Sequence, residues 1–124
     1  MLTEGISYTS TTVVSEANCA ITVGSGNLMV FATPSLVALM ENAAMMAVAS
    51  SLPEGSTTVG GAINIQHKSP SGIGQTVSAT ARLVAVEGRK LSFEVVACDS
   101  SGCVGEGTHT RFIVDAEKFM SRLK

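Results

Sequence analysis

The chain has 124 residues, of which 45% are hydrophobic and 15% charged, and its formal net charge is −2. A chain of this length builds a core without disulfide or metal support, so we predict one domain over residues 1–124. The apolar excess excludes a disordered chain and indicates a buried subunit interface, as in a homodimer. Basic and acidic residues are interspersed, so neither nucleic acid nor a membrane surface is expected as a partner.

The cysteines and the N-terminus bear on location. Cys19, Cys98 and Cys103 form no CxxC pair and no metal-ligand spacing with histidine, and an odd count is typical of a reducing compartment. Cys98 and Cys103 flank a predicted turn and can meet across it, but reduced thiols are favoured. Residues 1–11 lack the features of a secretory signal, and the apolar stretch 36–49 is shorter than the about 20 residues of a membrane helix. The sequence predicts a cytoplasmic protein.

The first predicted element is a strand. Residues 6–14 are rich in Thr, Val, Tyr and Ile, which are typical of strands. Residues 15–27 are ambiguous, because a strand-like run over 19–23 is followed by Gly24 and Gly26. These glycines permit a sharp, mobile loop, so the segment is a candidate lid or access loop.

A long helix follows. Thr33 is expected to cap its free backbone N–H groups, and Pro34 fits the first helical position. We predict the helix over residues 34–50. Its apolar residues cover nearly every face, which is the pattern of a helix buried on most sides.

Period-two alternation and turn residues predict four further strands and a short terminal helix. The strands cover residues 57–66, 75–86, 90–98 and 103–114, and the helix covers 115–123 with Asp115 as its cap. Turns at 87–89 and 99–102 make the last three strands a meander. One long apolar helix in such a chain is buried only if a sheet curls around it. The predicted fold class is therefore α+β, a hotdog fold in which an antiparallel sheet wraps around one long central helix.

Three residues are candidates for chemistry. Glu41 is the only charge in an apolar helix, where a carboxylate is rare unless paired or functional; a solvated helix edge is the alternative. Capping alone explains Thr33, although the helix N-terminus gives its surroundings a positive potential. His67 ends a strand beside Lys68, where an exposed histidine without function competes with a proton carrier.

Two further pairs of residues are noted on strands. His109 and Arg111 lie two apart on one face of the last strand, where either faces a ligand or water. Gly60 and Gly61 weaken a strand unless a group must approach the backbone closely. An exposed N–H at these glycines would stabilise an oxyanion.

Several of these residues together resemble a known family. The resemblance is to the fluoroacetyl-CoA thioesterase family of hotdog proteins, and it spans almost the whole chain. It is carried by four segments: SGNLMVFATP (25–34), LME (39–41), GGAINIQH (60–67) and GEGTHTR (105–111).

The resemblance implies an enzyme that hydrolyses an acyl-CoA thioester to free acid and CoA. Thr33, Glu41 and His67 match the family's catalytic residues, the Gly60 N–H matches its oxyanion donor, and Arg111 matches a late-strand arginine that contacts substrate. Thr33 is then a nucleophile or a water-positioner, with His67 and Glu41 as its base. Eight helical residues separate the α-carbons of Thr33 and Glu41 by about 12 Å, so Glu41 is expected to act through His67 or a water. No cofactor or metal is implied, since CoA is part of the substrate.

The resemblance does not extend to the family's phenylalanine-bearing lid, because Gly24, Gly26 and Asn27 occupy the corresponding region. With these small residues and no tryptophan, the chain is expected to prefer short or medium acyl groups. Two alternatives stay open. One is a non-catalytic acyl-CoA binding or regulatory hotdog domain, and the other is an enoyl-CoA hydratase-like enzyme, which the absence of the hydratase motif disfavours.

Overall fold

The strands form one antiparallel sheet in the order β1-β3-β4-β5-β2. A computed structural model describes residues 2–124. The strands are β1 (Ser7–Val13), β2 (Ser56–His67), β3 (Thr76–Glu87), β4 (Lys90–Asp99) and β5 (Gly102–Asp115), and the helices are α1 (Ala20–Val23), α2 (Thr33–Ala49) and α3 (Ala116–Ser121), with a 3-10 turn at Glu16–Asn18. The predicted α+β hotdog fold is confirmed, and every predicted strand of the meander is present.

Alternation along the strands places the core between the sheet and α2. One face of β3 and β4 is apolar and buried, and it packs against a stripe of α2 that recurs every three or four residues. These buried residues are Val77, Ala79, Ala81, Leu83, Leu91, Phe93, Val95 and Ala97 on the strands and Leu36, Met40, Ala43, Ala44 and Val48 on the helix. Gly88 closes the β3–β4 turn at φ +65°, a conformation in which a side chain is strained.

The start of α2 differs from the sequence prediction. Ala32 is the extended residue before the helix, Thr33 is its first residue, and no side chain caps it. Ala32 is held there because its N–H donates to the Asn18 carbonyl (3.0 Å) and its carbonyl accepts from the Leu36 N–H (2.9 Å). The prediction that Thr33 caps the helix is therefore wrong. Its hydroxyl is free for another partner.

The strand-like run at residues 19–23 is also not a strand. Cys19 makes only an isolated bridge with Phe31, and the following residues form the short helix α1. Gly24 ends this helix at φ +90°, where its N–H donates to the Ala20 carbonyl at 2.9 Å. The run is too short and too poorly paired to persist as a strand.

One side of α2 and both edges of the sheet remain uncovered in the single chain. The helix α2 buries one face only, and Met46 on its other side is 39% exposed, so the predicted burial on most sides is not reached within one chain. Within residues 2–124 both edge strands of the sheet have one neighbour: β2 pairs with β5, and β1 pairs with β3. An uncovered strand edge is a ready site for pairing with another chain.

The remaining predictions concern the termini and the cysteines. Asp115 caps α3 as predicted, since its Oδ1 accepts from the Lys118 N–H at 3.0 Å. All three cysteines are free, and Cys98 lies directly opposite Cys103 across the β4–β5 turn. No helix within residues 2–124 is long and apolar enough to cross a membrane.

Candidate active site

A hydrogen bond joins Thr33 and His67. The first residue of α2 and the last residue of β2 meet there, and Thr33 Oγ1 lies 2.7 Å from His67 Nδ1. Thr33 is exposed and His67 is partly buried. A hydroxyl with a neighbouring imidazole is the arrangement in which histidine takes the proton of an oxygen nucleophile.

The second ring nitrogen of His67 has no protein partner. Nε2 is buried and makes no hydrogen bond to any of residues 2–124. Burial lowers the pKa of His67, an effect that a backbone hydrogen bond at Ser69 partly opposes, so the ring is neutral near pH 7. If Nδ1 accepts from Thr33, then Nε2 carries the proton and donates it in a hydrogen bond. The acceptor must then be a group other than residues 2–124 of the same chain.

A cavity of about 280 Å³ adjoins this pair. The segment between α1 and α2 forms one wall, and the turn after β2 forms the other. Its lining residues are Ala20, Ser25, Val30, Phe31, Thr33, His67, Lys68, Ser69 and Pro70. Leu28 and Met29, in the same segment, are 69% and 47% exposed. Ala20 and Ser25, from the segment predicted as a lid (residues 15–27), therefore line the same cavity as Thr33.

A second polar cluster surrounds Glu41. Glu41 Oε2 lies 3.9 Å from Arg111 Nη1, and the Glu41 side chain is 40% exposed. A Cβ added at Gly60 would lie 2.7 Å from Glu41 Oε2. Glycine at this position therefore allows the carboxylate to lie against the β2 backbone. Gly61 has no partner in the β2–β5 ladder, so the strand bulges at this point.

Buried hydrogen bonds hold Arg111 in place. Its Nε donates to Thr58 Oγ1 at 2.8 Å and its Nη2 donates to the Thr58 carbonyl at 2.9 Å. His109 Nδ1 lies 2.7 Å from the Ala62 carbonyl, which can only accept, so Nδ1 donates and Nε2 is left to accept from Arg111 Nη1 at 3.2 Å. Burial lowers the pKa of His109, and the charge of Arg111 lowers it further. His109 is therefore a neutral part of the scaffold.

The sequence predicted the relative positions of some of these residues but not of others. The shared face of His109 and Arg111 followed from their spacing, and the structure buries both. The role of Thr58 was not predicted, because in the sequence Thr58 is only one more β-branched residue in a strand. Its 5% exposure and its two bonds to Arg111 are visible only after folding.

The three predicted catalytic residues fall into two groups within one chain. Thr33 is bonded to His67, whereas Glu41 lies beside Gly60 and Arg111. No ion contact within 4 Å joins Glu41 to His67 among residues 2–124. Those residues also contain no group of three or more His, Cys, Asp and Glu placed to hold a metal ion.

Comparison with known proteins gives one consistent family. A family model described as fluoroacetyl-CoA-specific thioesterase matches residues 14–117. A fluoroacetyl-CoA thioesterase of Streptantibioticus cattleyicolor is 42% identical over 95 residues, which cover 77% of this chain and 68% of that protein.

Solved structures agree with this result. A mutant of the fluoroacetyl-CoA-specific thioesterase FlK, crystallised with fluoroacetate and CoA, has a TM-score of 0.89 at 35% identity, covering 95% of this chain and 99% of that one. A thioesterase superfamily member from Thermus thermophilus has a TM-score of 0.89 at 25% identity, covering 98% and 90% of the two chains.

The sheet curled around α2 and these relatives define a hotdog-fold thioesterase. The chain belongs to the fluoroacetyl-CoA-specific thioesterase family. It is an acyl-CoA thioester hydrolase, as the resemblance in its sequence implied.

Proposed function

We propose that this enzyme hydrolyses short or medium acyl-CoA thioesters at a site built on Thr33 and His67, and that it works as a homodimer. The observation that carries the site assignment is the 2.7 Å bond between the two side chains, together with the buried, unpartnered Nε2. The small residues Gly24, Gly26 and Asn27 and the cavity of about 280 Å³ support a compact acyl site.

In the proposed reaction, His67 Nδ1 takes the proton of an oxygen nucleophile. That nucleophile is the Thr33 hydroxyl or a water that the hydroxyl positions, and it attacks the thioester carbonyl carbon. The positive end of α2 and the Gly60 N–H of the partner subunit, which the proposed dimer brings nearer, stabilise the negative charge that develops on the carbonyl oxygen. The C–S bond then breaks, and His67 returns the proton to the departing CoA thiolate. If the attacking group is a water, this step releases the free acid directly. If it is Thr33, His67 next takes a proton from a water that attacks the acyl-Thr33 ester, the C–O bond to Thr33 breaks, the free acid leaves and the proton returns to the Thr33 hydroxyl.

The uncovered edge of β2 supports the dimer. Two copies of β2 can pair antiparallel, which removes the free β2 edge of each subunit and continues one sheet through the two subunits. The register that pairs all twelve residues of Ser56–His67 sets Gly60 opposite Ile63 of the partner subunit. Along the strand, His67 then lies about 13 Å from the partner's Gly60 and about 23 Å from its own.

In this pairing Glu41 would serve the site of the other subunit. Within one chain Glu41 is too far along α2 to reach Thr33, but it contacts the cluster around Gly60, which the pairing brings closer to the partner's His67. We propose that the carboxylate of Glu41 accepts the Nε2 proton of the partner's His67, directly or through a water. The carboxylate would then stabilise the imidazolium that forms during the reaction.

Mixed dimers test this assignment. His67→Ala and Glu41→Gln subunits, each expected to be nearly inactive as a homodimer, are combined with two different affinity tags. A heterodimer contains one site with both substitutions and one intact site, so it should recover about half the wild-type kcat. If His67 and Glu41 of the same chain formed the site, the heterodimer would be inactive. A monomeric mass by light scattering at micromolar concentration would contradict the dimer itself.

A panel of acyl-CoA substrates tests specificity. Free thiol and hydration product are measured together for acetyl-, hexanoyl-, palmitoyl- and crotonyl-CoA. We expect thiol release from the short and medium esters and no hydration of crotonyl-CoA. A higher kcat/KM for palmitoyl-CoA than for acetyl- to hexanoyl-CoA would show that the acyl site is not compact.

A further inference from the structure

Two thiols that the proposed reaction does not use face each other on the sheet. Cys98, near the end of β4, and Cys103, near the start of β5, are partners in the ladder, and both are free and exposed. Directly opposite residues on antiparallel strands have α-carbons about 4.5 to 5.5 Å apart and side chains on the same face. A disulfide spans α-carbons about 4.4 to 6.8 Å apart. The backbone therefore already places the two thiols where a disulfide can form.

The neighbour of Cys103 in the chain anchors the turn after β2. Val104 follows Cys103 at a point where the register of the β4–β5 ladder shifts, so β5 bulges there. The Val104 carbonyl accepts the Lys68 N–H at 2.7 Å and the Ser69 N–H at 3.3 Å. These two residues directly follow His67 and line the cavity beside it. A movement of β5 at Cys103 is therefore passed to the residues that follow His67.

The neighbour of Cys98 anchors the other end of the same turn. Asp99 Oδ2 accepts from the Ser71 hydroxyl at 2.7 Å, and Ser71 is 1% exposed. The Ser71 carbonyl in turn accepts from the N–H of Phe31 at 2.9 Å. Phe31 lines the same cavity and lies two residues before Thr33. Each cysteine is thus adjacent to a residue that holds the turn after β2 against the rest of the domain.

We infer that Cys98 and Cys103 form a reversible disulfide when a low-molecular-weight disulfide oxidises them, and that this modification slows turnover at Thr33 and His67. The β-carbons of directly opposite residues are about 4.5 to 5.5 Å apart, whereas a disulfide brings them to about 3.8 Å. Formation of the bond closes this gap by about 1 Å, and the anchors of the turn after β2 move with it. A displacement of this size at a catalytic group can lower the rate by about 100-fold.

The exchange takes two steps. The Cys103 thiolate attacks one sulfur of the small disulfide, whose S–S bond breaks and releases one small thiolate. The Cys98 thiolate then attacks the Cys103 sulfur of this mixed disulfide, and the second small thiolate leaves as the Cys98–Cys103 bond forms. Two protein thiols are oxidised, and the small disulfide is reduced to two thiols that take up the two protons.

The first attack is assigned to Cys103 because of the surroundings of Cys98. Partial burial raises the pKa of the Cys98 thiol, and the neighbouring Cys103 and Asp99 raise it further. A raised pKa leaves less of the reactive thiolate. Cys98 is therefore better suited to the second step, in which the mixed disulfide already lies beside it.

The pair acts as a redox switch, with full turnover when the thiols are reduced and slow turnover when they are joined. Disulfides in a reducing compartment are usually transient and often sense the redox state. The effect on turnover rests on the proposed function, because it takes Thr33 and His67 as the site. Formation of the disulfide is independent of that proposal.

Oxidised glutathione tests the modification itself. The whole protein is incubated with it, separated from the reagent and alkylated in denaturant. The reduced chain should take up three alkyl groups, and the oxidised chain only one, on the buried Cys19, which serves as an internal control. Three alkyl groups after oxidation, or a glutathione adduct that persists on either exposed cysteine of the wild type, would overturn the disulfide.

The effect on activity is measured on the same samples, as initial rates of acetate formation from acetyl-CoA. Initial rates are needed because the CoA product is itself a thiol that can reduce the bond. Oxidation should lower kcat by roughly tenfold or more without lowering the melting temperature, and dithiothreitol, removed before the assay, should restore it. An unchanged kcat in chains whose alkylation shows the disulfide would overturn the coupling, as would a loss of activity that accompanies a lower melting temperature.

Serine variants show whether the bond itself is responsible. The double variant Cys98→Ser, Cys103→Ser, changed only at exposed positions, should match the reduced wild type and not respond to oxidised glutathione. Cys98→Ser keeps the first attacking thiol and takes up one glutathione, but it should keep its activity because no bond joins the strands. A loss of activity in either variant on oxidation would overturn the inference. If no reduced protein hydrolysed acetyl-CoA, the proposed function and the effect on turnover would both fail, while alkylation would still decide the disulfide.

Discussion

Thr33 and His67 are 34 positions apart in the chain, and their side chains are joined by a 2.7 Å hydrogen bond. The bond exists because α2 begins at Thr33 and β2 ends at His67 at the same end of the domain. Since Ala32 rather than Thr33 precedes the helix and no side chain caps it, the Thr33 hydroxyl is not committed to the helix backbone. Its contribution to catalysis can therefore be separated from helix stability.

The first prediction uses this separation. Replacing Thr33 by Ala should lower kcat by about 100-fold, the scale of a positioned catalytic group, while the free energy of unfolding changes by less than the about 1 kcal/mol that a lost cap costs. Thr33→Ser keeps the hydroxyl and should retain most of the activity. Thioester hydrolysis and thermal melting are measured on both variants.

His67→Ala is the companion variant, and it should lose activity to a similar extent. Near wild-type kcat in folded Thr33→Ala and His67→Ala proteins would overturn the catalytic assignment. Mass spectrometry of the quenched reaction distinguishes the two roles of the hydroxyl. An acyl group on a peptide that contains Thr33 indicates a nucleophile, and its absence indicates a positioned water.

The second prediction concerns pH. Burial lowers the pKa of both histidines in the folded chain below the usual value of 6.5. Because His67 acts as a base in its neutral form, kcat/KM should stay high at pH 7 and fall only on the acidic side of 6.5. A fall in kcat/KM centred above pH 6.5 would show that burial does not determine the pKa of His67.

The same pKa shifts link stability to pH. Below pH 6.5 the unfolded chain binds protons at these histidines more readily than the folded chain does, so the free energy of unfolding should fall as pH drops through the lowered pKa values. Above pH 6.5 both states carry neutral rings, and this dependence disappears. Urea unfolding between pH 5 and 8 measures the slope, which His109→Gln should reduce in a protein that still folds.

Local patterns were sufficient to predict most of the fold. The alternation of Val77, Ala79, Ala81 and Leu83 identified β3, and the turn at Gly88 fixed its pairing with β4. These features depend on neighbours in the chain and on the period of a strand.

The start of α2 and the composition of the site could not be read in this way. Ala32 rather than Thr33 precedes the helix because Ala32 bonds to Asn18, fourteen positions earlier. The division of the catalytic residues into Thr33 with His67, and Glu41 with Gly60, depends on how β2 lies against α2. Such contacts join distant parts of the chain, and no local periodicity encodes them.

The third prediction compares two neighbouring glycines. Alanine at position 60 would place Cβ 2.7 Å from Glu41 Oε2, whereas alanine at 61 would place it 2.4 Å from the ring of Phe112. Phe112 is 39% exposed, so its ring can turn toward solvent. The Glu41 side chain is 40% exposed, so its carboxylate can move aside and Gly60→Ala should also fold. Its kcat should fall roughly tenfold to 100-fold, because the carboxylate is displaced while the backbone N–H is kept. Gly61→Ala is the matched control and should stay active.

Hydrolysis of acetyl-CoA and melting temperature are measured on both glycine variants. Equal losses of activity in the two would indicate that any added side chain disturbs the β2 bulge. The loss of activity in Gly60→Ala could then not be attributed to displacement of the Glu41 carboxylate. A loss confined to Gly60→Ala supports a catalytic position for that carboxylate.

The last prediction concerns Arg111, which we regard as a positioning residue. It bonds twice to Thr58 and lies 3.9 Å from Glu41. Lysine at this position keeps the charge but not the planar fork, so both bonds to Thr58 cannot be reproduced. Arg111→Lys should lower the free energy of unfolding by about 2 kcal/mol, or the melting temperature by roughly 7 °C. Its kcat should fall with little change in KM, because an ammonium group that Thr58 no longer fixes does not hold Glu41 beside Gly60.

Arg82→Lys is the control for Arg111→Lys, since Arg82 pairs with Glu94 and its side chain is 52% exposed. An exposed ion pair contributes about 1 kcal/mol or less, so this variant should melt close to wild type. Equal melting temperatures for the two variants would contradict a buried anchor at Arg111. A raised KM with unchanged kcat in Arg111→Lys would instead place Arg111 in direct contact with substrate, because lost ground-state binding alone changes KM in that way.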